Sequence, residues 1–177
     1  MATTKWIVDP THSEVQFKVR HLMITTVTGY FEKFNVEVDT DGEDFHSTKK
    51  IVFTADVNSI STNNEQRDTH LKSADFFDAD NHGEVRFEGK NYDELKPGFE
   101  KLQGDLTIRG TTRPITLDVE YHGTVVDPYG QTKAGFSVEG KIKRKEFGLN
   151  WDAVTEAGSV VVSDEIRLHC EIQLVKQ

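Results

Sequence analysis

Residues 166–174 read IRLHCEIQL, with an apolar side chain at every second position. Successive side chains of a β-strand point to opposite faces, so this spacing predicts a strand with one buried and one wet face. The same period recurs along the chain, at residues 15–20, 30–38, 51–57, 85–87, 102–108, 115–121 and 134–144. An apolar face this long has to be covered, so the sheet either packs on a second sheet or curls round its own apolar side.

About eight strands are predicted, mostly joined by short turns such as residues 96–98 and 128–130. A tight connection is expected from Arg109 to Pro114. No helical crossover recurs, which argues against parallel βαβ units. With 177 residues, one all-β, antiparallel domain over 1–177 is expected. Eight antiparallel strands can enclose an interior that is either filled by side chains or able to hold one small ligand.

Some positions disturb or modify the strand pattern. Tyr30 is assigned to the same apolar face as Phe34, while Phe31 breaks the phase and suggests a bulge. Small residues also occur on the apolar faces, where in a closed barrel they are expected to leave room. These small residues are Ala55, Gly104, Ala134 and Gly140.

The strand period fails between residues 61 and 82. Thr62 and Glu65 fit a capping box, so we predict a short helix from about residue 63 to residue 72. Phe76 and Phe77 follow it in a polar setting. This segment is expected to cap one end of a barrel.

Composition excludes several classes of function. A formal charge of -9 argues against nucleic acid as a partner. No apolar run approaches the roughly 20 residues of a membrane helix, so stable membrane insertion is not expected. No secretory signal is visible, which favours a cytoplasmic protein, or a periplasmic one if a signal has been removed. Cys170 is the single cysteine and is expected to be a buried, inert thiol, which fits a reducing compartment.

Several short motifs, in the same order over residues 6 to 175, resemble those of the YceI-like family. They are WIVDPTHS (6–13), SIST (59–62), RDTHL (67–71), SADFFD (73–78), GDLTIRGTT (104–112), KRKEFGL (143–149) and VSDEI (162–166). The resemblance implies a lipocalin-like antiparallel barrel. It also implies binding of a long amphiphile of the polyisoprenoid class, with the chain inside and the polar head near the mouth. Many members of that family are exported to the periplasm.

The predicted ligand-binding residues come from the apolar faces and from the capping segment. Pattern alone favours a solid core, and the resemblance favours a ligand-filled lumen. The candidates are Phe17, Val19, His21, Phe53, Ala55, Phe76, Phe77, Phe87, Leu106, Ile108, Leu117, Phe136, Val138, Ile142, Arg144, Trp151, Leu168 and Ile172.

Arg144 lies two positions after Ile142, so on a strand the two side chains point to the same apolar face. Arginine rarely faces an interior unless it is paired. It could hold the anionic head of a ligand. Alternatively, a bulge turns it outward, or it pairs with a carboxylate such as Glu165. His21, on an apolar face, is expected to be a hydrogen-bonded buried imidazole.

Metal and catalytic sites are not expected, and no cofactor is implied. His12, His21 and His70 lack the tight spacing of zinc ligands. The segment 78–83 resembles a calcium loop, but Gly89 stands at its twelfth position, where such a loop needs a bidentate Glu. Asp9 and its neighbours His12 and Ser13 are expected to bond to the backbone rather than to form a triad.

The function predicted from the sequence is binding, and sequestration or transport, of a polyisoprenoid or an isoprenoid quinone, without chemistry on it. One alternative is an enzyme acting on such a lipid in the same cavity. The other is a filled barrel that serves as an interaction module. An exposed sheet edge could pair between chains, so a homodimer is left open.

Overall fold

The computed structural model describes residues 2–152 and 161–177, and these ranges contain eleven strands and one α-helix. The strands are β1 Thr3–Val8, β2 Glu14–His21, β3 Thr25–Phe31, β4 Phe34–Asp41, β5 Asp44–Asp56, β6 Ile60–Ser61, β7 Glu84–Lys96, β8 Phe99–Ile108, β9 Thr111–Val126, β10 Thr132–Lys143 and β11 Val162–Lys176. The helix α1 is Glu65–Lys72, and 3₁₀ turns lie at Pro10–His12, Val57–Ser59 and Arg144–Phe147. Within the described ranges, no helix has the length and hydrophobicity required to cross a bilayer.

The strands close into one antiparallel barrel with eight strand positions. β1 and β2 follow one another along the same side of β11, and β3 and β4 follow one another beside them. From there each strand pairs with the next long strand in the chain, through β5, β7, β8, β9 and β10 to β11. β6 adds a short pairing to β3. The predicted eight-stranded antiparallel barrel with one short helical segment is therefore confirmed.

The break between β1 and β2 is bridged by Gln173 of β11. The Asp9 backbone N–H donates to the Gln173 carbonyl at 2.8 Å, and the Gln173 N–H donates to Ser13 Oγ at 2.9 Å. Asp9 also caps the 3₁₀ turn by accepting from the Thr11 N–H. The expected backbone bonds of Asp9 and Ser13 are present, whereas His12 bonds to the Asp9 carboxylate at 2.9 Å.

The upper end of the barrel, as we define it, carries residues 22–24, the segment 57–83, the turn at 109–110 and residues 144–152. The helix lies there, but the predicted capping box is wrong. Asn64 is the N-cap and accepts from the Arg67 N–H at 3.0 Å. Thr62 is instead held by Asp68, whose Oδ1 accepts from both the backbone N–H and the hydroxyl of Thr62.

The sequence pattern placed Tyr30 and Phe34 on the same inward face, and the structure shows that this prediction is wrong. Tyr30 is 36% exposed, whereas Phe31 is 9% exposed and packs at 5.7 Å, centroid to centroid, from Phe17. β3 ends at Phe31, and residues 32–33 form a bend before β4 begins. Because of this break, and not because of a bulge inside one strand, odd-numbered residues face inward before the bend and even-numbered residues face inward after it.

The connection between β8 and β9 is shorter than predicted. Only Arg109 and Gly110 lie outside the strands, and both have positive φ, 49° and 73°. A two-residue hairpin of this kind matches the twist of the flanking strands. Pro114 lies within β9 opposite Asp105 of β8, above the residues of β9 that pair with β10. A proline is tolerated there because its missing N–H is not needed for pairing.

The sequence analysis expected the small inward-facing residues to leave space in the barrel, but they do not. A Cβ on Gly104 would lie 2.3 Å from the Glu88 carbonyl oxygen and 2.6 Å from the Phe87 ring, and a Cβ on Gly140 would lie 2.4 Å from Leu117. Ala55 is also tightly packed, 2% exposed. Large neighbours occupy the volume that these residues leave.

We therefore expect Gly104→Ala to destabilise the barrel, because the new methyl group meets a backbone oxygen that cannot turn away. Overpacking of this kind costs about 1–3 kcal/mol, or roughly 2–12 °C in the thermal unfolding midpoint. Gly83→Ala is the matched control, since its nearest atom, the Ala79 carbonyl oxygen, lies at an ordinary 3.7 Å. An equal midpoint for the two variants would show that the Gly104 contact is unimportant.

Candidate functional site

The interior of the barrel holds an apolar cavity of about 240 Å³. Several inward-facing side chains, including Val19, Val138, Leu168 and Ile172, are only partly buried because they face this cavity. An engineered cavity of about 150 Å³ is enough to bind benzene. The interior is therefore not the solid core that the pattern alone favoured.

Most of the predicted ligand-binding residues line this cavity. They are Phe17, Val19, Phe53, Phe76, Phe77, Phe87, Leu106, Ile108, Leu117, Phe136, Val138, Ile142, Arg144, Leu168 and Ile172. The structure does not test whether they touch a ligand, so their binding role stays a prediction.

Three predicted residues do not line the cavity wall. Ala55 is inward-facing but lies behind its large neighbours. His21 ends β2 at the rim, where it pairs with Thr25 and Val162. Trp151 lies at the upper end in an aromatic group, 5.3 Å from Phe76, centroid to centroid.

The upper end of the cavity is bordered by side chains from the capping segment. Phe76 packs edge-on against His70 at 5.1 Å, centroid to centroid, and Phe77 packs edge-on against Phe31 at 6.0 Å. Leu71 contributes the one cavity-lining side chain of α1. His70 is fixed by Asp75, whose Oδ2 lies 2.8 Å from His70 Nε2. These contacts place the two predicted phenylalanines at the same end of the lumen.

Four aromatic rings fill the lower end of the barrel. Phe45 lies at its centre, with ring centroids 4.7 Å from Trp6, 5.0 Å from Phe136 and 5.7 Å from Tyr121. Trp6 is fully buried, and its Nε1 donates to Thr40 Oγ1 at 3.0 Å. The cavity therefore has an aromatic floor.

Sequence analysis missed Phe45 and Tyr92, which both line the cavity. Phe45 was missed because β5 begins seven residues before the apolar period that starts at Ile51. Tyr92 is out of phase with Phe87, because the pairing of β7 with β8 shifts between Gly89 and Asn91. No signal in the sequence marks either shift clearly.

Cys170 also faces the cavity and lies between Val138 and Val15 on the neighbouring strands. Its surroundings are apolar, and burial raises the pKa of the thiol to about 12. A thiol with so little thiolate is a poor nucleophile, as the sequence analysis expected.

Arg144 is 2% exposed and borders the upper end of the cavity. All five of its N–H groups are used by the protein. They donate to Asp152 Oδ1 at 2.8 Å and to four backbone carbonyls, those of Leu149 and Trp151 at 2.7 Å, Ser163 at 2.9 Å and Val162 at 3.1 Å.

These bonds correct the sequence-based ideas about Arg144. The side chain does not turn outward, and its ionic partner is Asp152 rather than Glu165, whose nearest cation is Lys141 at 3.9 Å. Lys145 and then Arg144 hold the pKa of Asp152 below its usual range. With every donor engaged, Arg144 fastens the chain on either side of residues 153–160 and has no N–H left for the head of a ligand.

One serine and one histidine on the outer wall of the barrel are hydrogen-bonded to each other in a way that partly resembles a catalytic triad. His122 Nε2 lies 2.7 Å from Ser137 Oγ, but the Glu171 carboxylate binds Ser137 rather than His122. A triad needs its acid on the histidine. Within residues 2–152 and 161–177, no three His, Cys, Asp or Glu side chains are grouped so as to hold a metal ion.

Comparison with known sequences gives a consistent family. The profile of the YceI-like domain matches residues 6–174. A UPF0312 protein of Staphylococcus epidermidis is 37% identical over 171 residues, 96% of each chain. A UPF0312 protein of Staphylococcus aureus is 38% identical over the same share.

Solved structures share the barrel. The YCEI protein of Campylobacter jejuni is 33% identical, with a TM-score of 0.77 over 89% of this chain and 90% of that one. A mutant of it was crystallised with a monobromobimane guest. A polyisoprenoid binding domain of Saccharophagus degradans has a TM-score of 0.67 over 97% of this chain and 98% of its own. At 15% identity, that likeness shows the fold alone.

We expect Arg144→Met to be strongly destabilising, because it leaves Asp152 Oδ1 and four backbone carbonyls without the N–H groups of Arg144, while Lys145 still bonds Asp152 Oδ2. Each buried acceptor left without its donor costs about 1–3 kcal/mol, so we expect a loss of about 3–5 kcal/mol, or roughly 6–20 °C in the thermal unfolding midpoint. Arg113→Met is the control, since Arg113 is exposed and its side chain makes one hydrogen bond to the described residues, to the Glu146 carbonyl. A loss below about 2 °C for Arg144→Met would contradict a structural role.

Proposed function

This chain belongs to the YceI-like family, and we propose that its barrel binds a long apolar amphiphile of the isoprenoid class inside the lumen. The protein sequesters or carries this lipid and does no chemistry on it. The observation that carries the proposal is the apolar cavity of about 240 Å³ enclosed by the closed sheet.

The driving force for such binding is the removal of hydrocarbon from water, worth about 25 cal/mol per Å² of apolar surface. The wall offers aliphatic and aromatic carbon along its length, from Phe76 at the upper end to Phe45 at the floor. A closed sheet supplies this surface without an exposed backbone edge inside the lumen. A flexible chain loses conformational entropy on binding, so only part of the gross gain appears as affinity.

A neighbouring structure supports the same class of ligand. The Saccharophagus degradans domain of this fold is described as polyisoprenoid binding. That is a property of that protein, and the apolar lumen of the present chain is what extends the idea to it.

Blocking the lumen tests the proposal. Cys170→Phe places a ring in the cavity, and we expect bound lipid to fall by about ten-fold or more. That factor equals the loss of roughly 60 Å² of apolar contact at ~25 cal/mol per Å². Native mass spectrometry of the purified protein measures the lipid that it retains.

Arg167→Phe is the matched control, because Arg167 lies on the same strand but faces outward. It should retain as much lipid as the wild type. Equal lipid in both variants would place the binding site outside the barrel. Thermal unfolding of both variants checks that the barrel is intact.

The enzyme alternative is tested separately. Purified protein is incubated with isoprenoid alcohols and quinones, and the masses of the lipids are measured before and after. We expect no change of mass, and a new product that depends on the protein would overturn the binding-only proposal.

A further inference from the structure

A polar group interrupts the apolar interior near the aromatic floor. Glu100 follows Phe99 at the start of β8 and has the same inward parity as Leu102 and Leu106. The residue is 3% exposed. Its Oε2 atom is buried and makes no hydrogen bond to any described residue. The Tyr92 hydroxyl, on the neighbouring strand β7, is also buried without a hydrogen-bond partner among the described residues.

The two side chains are close enough to affect one another's ionisation, although their mutual geometry does not make a regular hydrogen bond. Burial, and then the negative charge of Glu100, raises the pKa of Tyr92. Burial also raises the pKa of Glu100, and Tyr92 and His46 oppose that rise. Because Tyr92 lines the cavity, the pair adjoins the space in which a ligand would lie.

Native structures leave few buried polar atoms unbonded, since each costs about as much as a lost hydrogen bond. Here two such atoms lie on neighbouring strands, and Tyr92 lines one end of a cavity whose wall is otherwise almost wholly apolar. A ligand atom that donates a hydrogen bond to Glu100 and accepts one from Tyr92 would give both buried atoms the hydrogen bond that they lack. A hydroxyl does both.

The charges around the pair exclude an anionic head. Glu94 lies on the same side of the barrel, and His46 Nε2 stands 3.2 Å from Glu94 Oε2 and 3.5 Å from Glu100 Oε1. A phosphate in this position would face the Glu100 carboxylate at close range in an apolar setting, which is strongly unfavourable.

We propose that Tyr92 and Glu100 form a subsite for the hydroxyl end of a long-chain alcohol. The alcohol then lies with its head at the floor and its hydrocarbon toward the upper end. This orientation is opposite to the one that the family resemblance implied. At the upper end, Arg144 has no donor left for a head group. The inference rests on the proposed function, because it needs a lipid in the lumen.

The test compares three probes that differ only at one end: a prenol, the hydrocarbon that lacks its hydroxyl, and the prenyl monophosphate. Affinities are measured by competition with a fluorescent apolar dye held in the lumen. Two hydrogen bonds should give the wild type a preference of roughly ten-fold for the prenol over the hydrocarbon. The monophosphate should bind no better than the hydrocarbon.

Two variants remove the subsite and one serves as control. Tyr92→Phe keeps the ring, and Glu100→Leu replaces the carboxylate by an apolar group like that of Leu102. Both should bind the hydrocarbon as the wild type does and lose the preference for the prenol, to within about two-fold. Tyr30→Phe removes an exposed hydroxyl from the outer face and should keep the preference.

The outcomes separate the two proposals. If the prenol and the hydrocarbon bind the wild type equally, or if Tyr92→Phe and Glu100→Leu keep the preference, the subsite is wrong while lumen binding stands. Tighter binding of the monophosphate than of the prenol would also overturn the subsite. If no probe displaces the dye, or if the dye does not bind, the lumen does not hold lipids and both proposals fail.

Discussion

Closure of the sheet at β11 is the constraint on which the rest of the structure depends. β11 pairs with β10 on one side and with both β2 and β1 on the other. The second side is continuous only because Gln173 bonds to Asp9 and Ser13 where the first strand is interrupted. A closed sheet has no exposed edge and must enclose its apolar face. The lumen is therefore a product of strand pairing rather than of any single side chain.

Alternation of apolar residues was enough to predict an all-β antiparallel domain, whereas the lipocalin-like barrel was implied by the family resemblance. The alternation identified most of the barrel strands, because each has one face toward the lumen and one toward water. It failed where the backbone changes phase. The bend after Phe31 and the register shift before Tyr92 move residues between faces. Such shifts depend on how two strands pair, and one strand's sequence does not record that.

The wall of the site was predicted better than its size or polarity. The alternation of positions along each strand places Phe17, Phe136 and Leu168 on the inside. It does not show whether side chains from opposite sides of the barrel touch one another. Gly104 and Gly140 seemed to make room, yet Phe87 and Leu117 fill the space beside them. Tertiary packing decides this. Arg144 was singled out correctly as unusual, but its role depends on carbonyls from residues 149, 151, 162 and 163. No pattern in the sequence brings these carbonyls together.

The position of Cys170 determines whether the protein can form intermolecular disulfides in an oxidising environment. A disulfide requires two sulfur atoms about 2.05 Å apart, and the sulfur of a second chain cannot reach one enclosed by the barrel wall. With its thiol protonated and enclosed, Cys170 cannot crosslink copies of the chain. An oxidising environment therefore does not join copies of the chain through this residue. The single cysteine, which suggested a reducing compartment when only the sequence was considered, is equally compatible with an oxidising one.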